Sequence, residues 1–109
     1  MVSNNFVFTA QAKIDIEQAF DYIVNEFGDK FAVKILYDEL FDAIQRICLF
    51  PKSSELVDNE LIKKDNVRKT LVNNYLLFYF YDENKSMIVI LRFIYGKRSF
   101  VDLLKEIAI

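Results

Sequence analysis

Apolar residues recur at three- and four-residue steps through two segments in the first half of the chain, residues 10–28 and 29–51. This spacing places them along one face of a helix. Gly28 is suited to cap the end of the first helix, Asp29 to cap the start of the second, and Pro51 to end it. Because the caps adjoin, we predict that the two helices fold back as a hairpin. The predicted apolar faces comprise Ala12, Ile16, Ala19, Phe20, Ile23 and Phe27 in the first segment and Ala32, Leu36, Leu40, Ala43 and Ile47 in the second.

The apolar pattern changes to that of β-strands on both sides of the hairpin. Residues 6–9 predict a short opening strand, whereas the polar residues 52–65 lack a clear period and predict a connecting loop. Asn73 and Asn74 tolerate the left-handed conformations of a tight hairpin turn, and the segment DENKS predicts a second turn. These turns separate three runs of strand character, which we predict to form an antiparallel meander: residues 66–72, 75–82 and 87–95.

Length and composition favour one domain over residues 1–109. The chain is 53% apolar and contains only two glycines and one proline, far from the composition of a disordered chain. The predicted fold class is α+β, with an N-terminal strand, a two-helix hairpin and a three-stranded antiparallel meander, and residues 99–107 fit a short C-terminal helix. No apolar segment approaches the roughly 18 residues that cross a bilayer, and no signal-peptide pattern opens the chain. We therefore expect a cytoplasmic protein without membrane contact.

The residue types that are absent exclude several classes of chemistry. The sequence has no histidine, which excludes Ser-His-Asp and Cys-His nucleophiles and almost every zinc site. Its two glycines, Gly28 and Gly96, form no Gly-rich phosphate loop. The single cysteine, Cys48, stands at helical spacing behind Ile44, which favours a place in the core. We expect neither a metal nor a cofactor, and any acid or base must be Asp, Glu, Lys, Arg or Tyr.

Charge is divided between the two halves of the chain. Residues 1–60 contain five Lys or Arg against eleven Asp or Glu, whereas residues 61–109 contain nine against five. A partner responds to local charge, so the basic sheet half favours a polyanion or an acidic peptide. Solvated charges without any partner are one alternative. Single-stranded nucleic acid stacked on aromatic residues is another, although most of the eleven phenylalanines fall at core spacing.

Arg92 lies inside an apolar strand and decides which sheet face we expect to be open. Strand alternation across the Asn73-Asn74 turn, continued around a second turn centred on Asn84, places Arg92 on the same face as Lys69. An unpaired arginine is costly against helices, so this face is predicted to be open. Its apolar patch then needs a cover, either an acidic amphipathic segment of a partner or residues 100–107 of the chain itself. The predicted open face comprises Val67, Lys69, Leu71, Leu76, Phe78, Phe80, Ile88, Ile90, Arg92 and Ile94.

Three segments together resemble a known family: FTAQAKIDIEQAFDYI, FDAIQRICLFP and VRKTLVNNYLLFYFYDENKSMIVILRFIYGKRSF. In order and spacing they resemble the RelE/ParE toxins of bacterial type II toxin-antitoxin systems, a family that includes plasmid stabilisation proteins. The resemblance implies a small α+β fold and a cognate antitoxin that wraps the toxin. It also implies one of two activities: RelE-like toxins cleave mRNA in the ribosomal A site, whereas ParE-like toxins inhibit DNA gyrase.

The RelE-like activity implies a set of catalytic residues. Lys69 matches a catalytic lysine and Arg98 matches the arginine that stabilises the transition state, with Tyr95 or Lys97 as a substitute for the groups that are missing. Each preorganised charge contributes several kcal/mol to stabilising such a transition state, so missing cations weaken the mechanism. The remaining cations and the terminal tyrosine of that set are replaced here by Val67, Leu76 and Leu104.

The ParE-like branch is the closer resemblance, through Arg68 at the start of a strand and the segments NYLLFY, ILRFIY and GKRS. That branch usually has histidine where Tyr95 stands and aspartate where Ser99 stands. We expect a toxin that inhibits gyrase by binding; the alternatives are a ribosome-dependent mRNA endoribonuclease and an inactive antitoxin-binding relative. A homodimer is one possible assembly. The expected target-binding residues are Arg68, Arg92, Lys97 and Arg98, and the expected antitoxin-binding residues are Leu76, Phe78, Phe80, Ile90 and Arg92.

Overall fold

A computed structural model of the chain describes residues 4–57 and 66–96. The described residues contain two helices and five strands, and the strands form one mixed sheet in the order β1-β5-β4-β3-β2. In this part of the chain, neither helix is long and apolar enough to cross a membrane. The elements are β1 (Asn5–Phe8), α1 (Ala10–Phe27), α2 (Lys30–Leu49), β2 (Glu55–Leu56), β3 (Val67–Val72), β4 (Tyr75–Asp82) and β5 (Met87–Tyr95).

The predicted helical hairpin is confirmed, together with its caps. The side-chain oxygen of Thr9 accepts a hydrogen bond from the backbone N–H of Ala12 at 3.1 Å and so caps the start of α1. Gly28 ends α1 in the left-handed conformation at φ 57°, which glycine adopts without the strain of a Cβ atom. Asp29 then caps α2 by accepting from the N–H of Phe31 at 2.8 Å. Local chemistry thus fixes where the helices begin and where the first one ends.

The predicted meander is present as β3, β4 and β5, but two further strands extend it into a mixed sheet. β1 pairs in parallel with β5, so the strand predicted at residues 6–9 forms one edge of the sheet. β2 pairs antiparallel with β3 and lies within the segment predicted as a loop. It spans only two residues, too few to produce a strand period in the sequence. The predicted helix at residues 99–107 lies outside the described part of the chain.

The first hairpin turn follows the prediction and the second does not. Asn73 adopts φ 57° between the paired residues Val72 and Tyr75, as a two-residue turn requires. The second turn contains a single 3₁₀ turn, Glu83–Lys85, which places Ile88 opposite Tyr81. A turn centred on Asn84 would instead have paired Ile88 with Phe80. This shift of one residue places the first residues of β5 on the opposite face of the sheet from the one predicted.

A β-bulge at Leu91 corrects the face assignment part-way along β5. Tyr79 pairs with Ile90 while Phe78 pairs with Arg92, so Leu91 is an extra residue on its strand. Before the bulge, Ile88 and Ile90 face the helices, contrary to the prediction. After it, Arg92 lies on the same side as Phe78, as predicted.

The described residues form two hydrophobic clusters, one on each face of the sheet. The larger lies between the helices and the sheet and the smaller, formed by Val67, Phe78 and Ile94, lies on the opposite face. Because Phe78 has no exposed surface and Ile94 is 6% exposed, the prediction of an open apolar face is wrong for these residues. Residues 100–107, the alternative cover, lie outside the described part. The sheet residues of the larger cluster are Val72, Tyr75, Leu77, Tyr79, Ile88, Ile90 and Phe93.

Candidate functional site

A buried ion pair joins α1 to the end of β5. The Nε of Arg92 donates to Oδ2 of Asp15 at 2.7 Å, and its Nη2 donates to Oδ1 at 3.1 Å. Asp15 is 5% exposed and Arg92 is 7% exposed. This two-point contact matches the planar guanidinium fork to the carboxylate, which is the geometry of strong charge-assisted hydrogen bonds.

The local topology explains why Asp15 lies at this position. β1 ends at Phe8, so the outer edge of β5 loses its neighbouring strand beyond Ile90. The hydroxyl of Thr9 donates to the carbonyl of Leu91 at 3.1 Å, and Oδ2 of Asp15 accepts from the N–H of Phe93 at 3.1 Å. The start of α1 thus completes the hydrogen bonding of this strand edge, which would otherwise expose unsatisfied backbone groups.

The sequence signal for this pair was missed. Asp15 lies three residues after Ala12 and four before Ala19, both of which are buried, so it occupies a core position of α1. A charge at a core position requires a partner, and Arg92 is the cation inside an apolar strand. The prediction that Arg92 marks an open face is therefore wrong, because its guanidinium is buried against α1. Its proposed contacts with a target or an antitoxin lose the exposed surface on which they were based.

The two cations of β3 both have partners within the chain. Arg68 donates to the backbone carbonyls of Lys52 and Ser54 at 3.3 and 2.6 Å, so it holds the segment that follows α2. The Nζ of Lys69 lies 3.7 Å from Oε1 of Glu55, its cross-strand neighbour on β2. The side chain of Glu55 is 72% exposed and that of Lys69 is 25% exposed, so solvent screens this pair in part. Both side chains thus contact the segment that contains β2. The contact of Arg68 with a target and the catalytic role of Lys69 stay predictions.

Tyr95 and Lys69, the described members of the predicted catalytic set, lie on opposite faces of the sheet. Lys69 is paired with Phe78, whose side chain lies in the cluster on the face away from the helices. Tyr95 is paired with Tyr75, which lies in the helix-side cluster, and their ring centroids are 5.8 Å apart. Lys69 and Tyr95 also lie two strands apart across the sheet and three residues apart along the strands, which is roughly 10 Å in each direction. The sheet therefore separates the two side chains, and their joint catalytic role stays a prediction.

A cavity of about 370 Å³ opens beside Tyr95 at the end of β5. Its principal walls are three tyrosines, Tyr22 from α1, Tyr75 from β4 and Tyr95, and we call it the tyrosine pocket. Burial raises the pKa of Tyr75, and the nearby phenols of Tyr22 and Tyr95 raise it further, so its hydroxyl is neutral at physiological pH. Gly96, whose N–H donates to the carbonyl of Asn74 at 2.8 Å, is the last described residue. Lys97 and Arg98, two predicted target-binding residues, lie outside the described part.

The predicted antitoxin-binding residues differ in exposure. Phe78 and Ile90 have no exposed surface, and Ile90 lies on the helix side of the sheet rather than with the others. Leu76 and Phe80 are half-buried on the opposite face and retain surface for a partner. The structure thus divides the predicted set between surface and interior residues.

The helix side carries an apolar groove that the sequence reasoning did not anticipate. A cavity of about 350 Å³ lies between β1 and the two helices, with Phe6, Tyr37 and Phe41 on its exposed rim. The rings of Tyr37 and Phe41 are stacked with centroids 5.9 Å apart. No cluster of metal-ligating side chains occurs among residues 4–57 and 66–96.

Comparison with known families gives a match over nearly the whole chain. The family model described as "ParE toxin of type II toxin-antitoxin system, parDE" matches residues 6–100. No curated protein sequence matches the chain.

Several solved structures share the fold at low sequence identity. The chromosomal ParDE toxin-antitoxin system of P. aeruginosa gives a TM-score of 0.66 at 14% identity, covering 87% of this chain and 98% of that one. The RelBE2 toxin-antitoxin complex of Mycobacterium tuberculosis gives 0.59 at 19% identity, covering 86% and 99%. The RelE-RelB complex of Pyrococcus horikoshii gives 0.58 at 11% identity, covering 90% and 100%. At these identities the likeness establishes the fold.

Proposed function

Because the chain belongs to the ParE toxin family of type II toxin-antitoxin systems, we propose that it inhibits DNA gyrase by binding and is neutralised by a cognate antitoxin. The family match over residues 6–100 carries the toxin assignment. Inhibition by binding requires a complementary surface rather than a set of reacting groups. The target-contacting residues in this proposal are Lys97 and Arg98, with the exposed Tyr95 beside them.

The geometry of the sheet supports binding over RNA cleavage. A ribonuclease of the alternative type needs its cations and its positioning residue around one phosphate. Lys69 and Tyr95 are on opposite faces of the sheet, and Lys69 lies beside Glu55 at 3.7 Å. Leu76 stands where the resemblance places a further cation. An endoribonuclease remains the second candidate because Lys69 and Arg98 match two positions of the RelE-like set.

An antitoxin partner is supported by the comparison structures, which are toxin-antitoxin complexes. We propose an acidic amphipathic segment, since the second half of the chain is basic and aromatic. Leu76 and Phe80, which are half-buried on the sheet face away from the helices, are the proposed contacts. Phe78, Ile90 and Arg92 act beneath the surface by holding the strands that carry these contacts.

Induced expression in a bacterial host without the antitoxin distinguishes these functions. We expect growth arrest with filamentation and intact mRNA, and we expect the variant Lys69→Ala to remain toxic. The matched control is Lys85→Ala, which removes an exposed lysine from the β4–β5 turn. Codon-phased mRNA cleavage that disappears in Lys69→Ala, but not in Lys85→Ala, would establish the ribonuclease instead. Normal growth with soluble wild-type protein would indicate an inactive antitoxin-binding relative.

A further inference from the structure

The tyrosine pocket has the shape of an aromatic corner. The rings of Tyr75 and Tyr95 meet at 72° with centroids 5.8 Å apart, so their faces form two walls at nearly a right angle. Phe93 stacks on Tyr75 at 4.8 Å and holds that ring in place. Tyr22 approaches from α1 and is 55% exposed, which leaves it at the mouth of the pocket. Because Tyr75 is covered by Phe93 and is only 7% exposed, the rings that remain open to a planar or cationic group are Tyr95 and Tyr22.

The hydroxyl groups of the pocket have unused hydrogen-bonding capacity. Tyr75 is 7% exposed, and its hydroxyl has no hydrogen-bond partner among the described residues. No buried side-chain oxygen or nitrogen of the described residues lacks a hydrogen-bond partner, so this hydroxyl is open to the pocket, where a ligand donor can reach it. Asp15 also lines the pocket, but Arg92, Phe93 and Gln11 already occupy its two oxygens. The available acceptors of the pocket are therefore the tyrosine hydroxyls and the amide oxygen of Gln18.

The charges near the pocket favour a cation as its ligand. Asp15 neutralises Arg92, so this pair adds no net charge to the cavity. Of the other charges on α1, Lys13 and Glu17 line the groove between β1 and the helices. The remaining two are acids, Asp21 next to Tyr22 in sequence and Glu26 one helical turn after it. On its α1 side the pocket therefore has more negative than positive charge, which favours a cation over a phosphate or a carboxylate at Tyr22. The negative faces of the tyrosine rings act in the same direction.

We propose that the tyrosine pocket binds an arginine side chain of the target protein. A guanidinium is planar, stacks on aromatic faces and carries five N–H donors for the hydroxyl oxygens. Tyr95 and Gly96 lead directly into Lys97 and Arg98, the residues proposed to contact the target. The assignment of the arginine to the target, rather than to an antitoxin, thus rests on the proposed function.

Titration with small probes tests the chemistry of the pocket without any macromolecule. The probe is N-acetyl-arginine amide, and N-acetyl-citrulline amide is its uncharged analogue of nearly the same shape. Nuclear magnetic resonance of the tyrosine rings reports binding at assigned residues. We expect the arginine probe to bind about fivefold to thirtyfold more tightly than the citrulline probe, because cation–π attraction requires the charge.

Substitutions at Tyr22 test whether this ring contributes to the binding of the arginine probe. Tyr22→Ala removes an exposed wall and should weaken arginine binding about fivefold or more, whereas Tyr22→Phe should retain part of it. Tyr37→Ala is the control, since Tyr37 is 54% exposed on α2 and lies outside the pocket. Equal binding of arginine and citrulline would overturn the proposal. Tighter binding of N-acetyl-phenylalanine amide or uridine than of the arginine probe would also overturn it. So would a Tyr22→Ala variant that binds the arginine probe as tightly as the wild type.

Inhibition of purified DNA gyrase tests the source of the arginine. The concentration of toxin for half-inhibition should rise about tenfold or more in Tyr22→Ala and stay unchanged in Tyr37→Ala. Inhibition by Tyr22→Ala at the wild-type concentration would overturn the assignment to the target. A wild-type protein that leaves gyrase unaffected would refute the proposed function and this assignment together, while the titration still decides what the pocket binds.

Discussion

Substitution of Asp15 by asparagine tests the buried ion pair most sharply. Asparagine has nearly the same shape but removes the negative charge that Arg92 faces at 2.7 and 3.1 Å. Breaking a buried pair by removing one partner costs about 3–5 kcal/mol. A domain of this size has a total stability of about 5–15 kcal/mol, so the loss is a large fraction of the whole.

Urea denaturation measures this loss directly. With an m-value of about 2 kcal/mol/M, a loss of about 4 kcal/mol lowers the unfolding midpoint by about 2 M. The matched control is Asp38→Asn on α2, whose partner Lys34 lies at 4.0 Å with both side chains more than half exposed. Such a surface pair contributes about 0–1 kcal/mol, so the control should barely change the midpoint.

The double variant Asp15→Leu with Arg92→Met separates charge burial from the strand-edge hydrogen bond. An apolar replacement of both charges avoids burying a lone arginine, so the double variant should be more stable than Asp15→Asn. It should remain about 1–3 kcal/mol below wild type, since the N–H of Phe93 loses its acceptor. A loss below about 1 kcal/mol in Asp15→Asn, equal to that in Asp38→Asn, would refute the structural role of the pair.

Three further predictions follow from single residues. Asn73→Ala should cost about 1 kcal/mol and Asn73→Gly much less, because residue 73 adopts φ 57°; thermal unfolding compares them. Tyr79→Phe should cost about 1–2 kcal/mol in urea denaturation, because the buried hydroxyl donates to the carbonyl of Pro51 at 2.8 Å. Burial raises the pKa of the Cys48 thiol above its value in the unfolded chain. The neutral thiol therefore favours the fold at neutral pH, and this contribution is lost as the pH rises through the raised pKa. Alkylation by iodoacetamide at mildly alkaline pH should be at least about tenfold slower in native than in urea-unfolded protein.

Elements governed by local chemistry were predictable from the sequence. The helix bounds follow from apolar spacing with Asp29 and Gly28 as caps, and the first hairpin follows from Asn73. Each signal lies within a few residues of the feature it determines. The strand faces of β3 and β4 were correct for the same reason, because alternation from a known turn fixes them.

Features that depend on distant parts of the chain were not predictable in the same way. The 3₁₀ turn at Glu83–Lys85 and the bulge at Leu91 shift the register of β5 in steps that alternation does not encode. The partner of Arg92 lies 77 positions away on α1, so no local pattern connects them. Asp15 at a core position of α1 was nevertheless a usable signal, because a buried carboxylate requires a cation.

The supercoiling of relaxed plasmid by purified DNA gyrase tests the central claim of inhibition by binding. We predict that the purified toxin suppresses supercoiling, that Lys69→Ala suppresses it equally, and that ribosome-bound mRNA stays intact at the same toxin concentration. Unimpaired supercoiling together with cleavage of ribosome-bound mRNA would contradict the account and establish a ribonuclease on this scaffold.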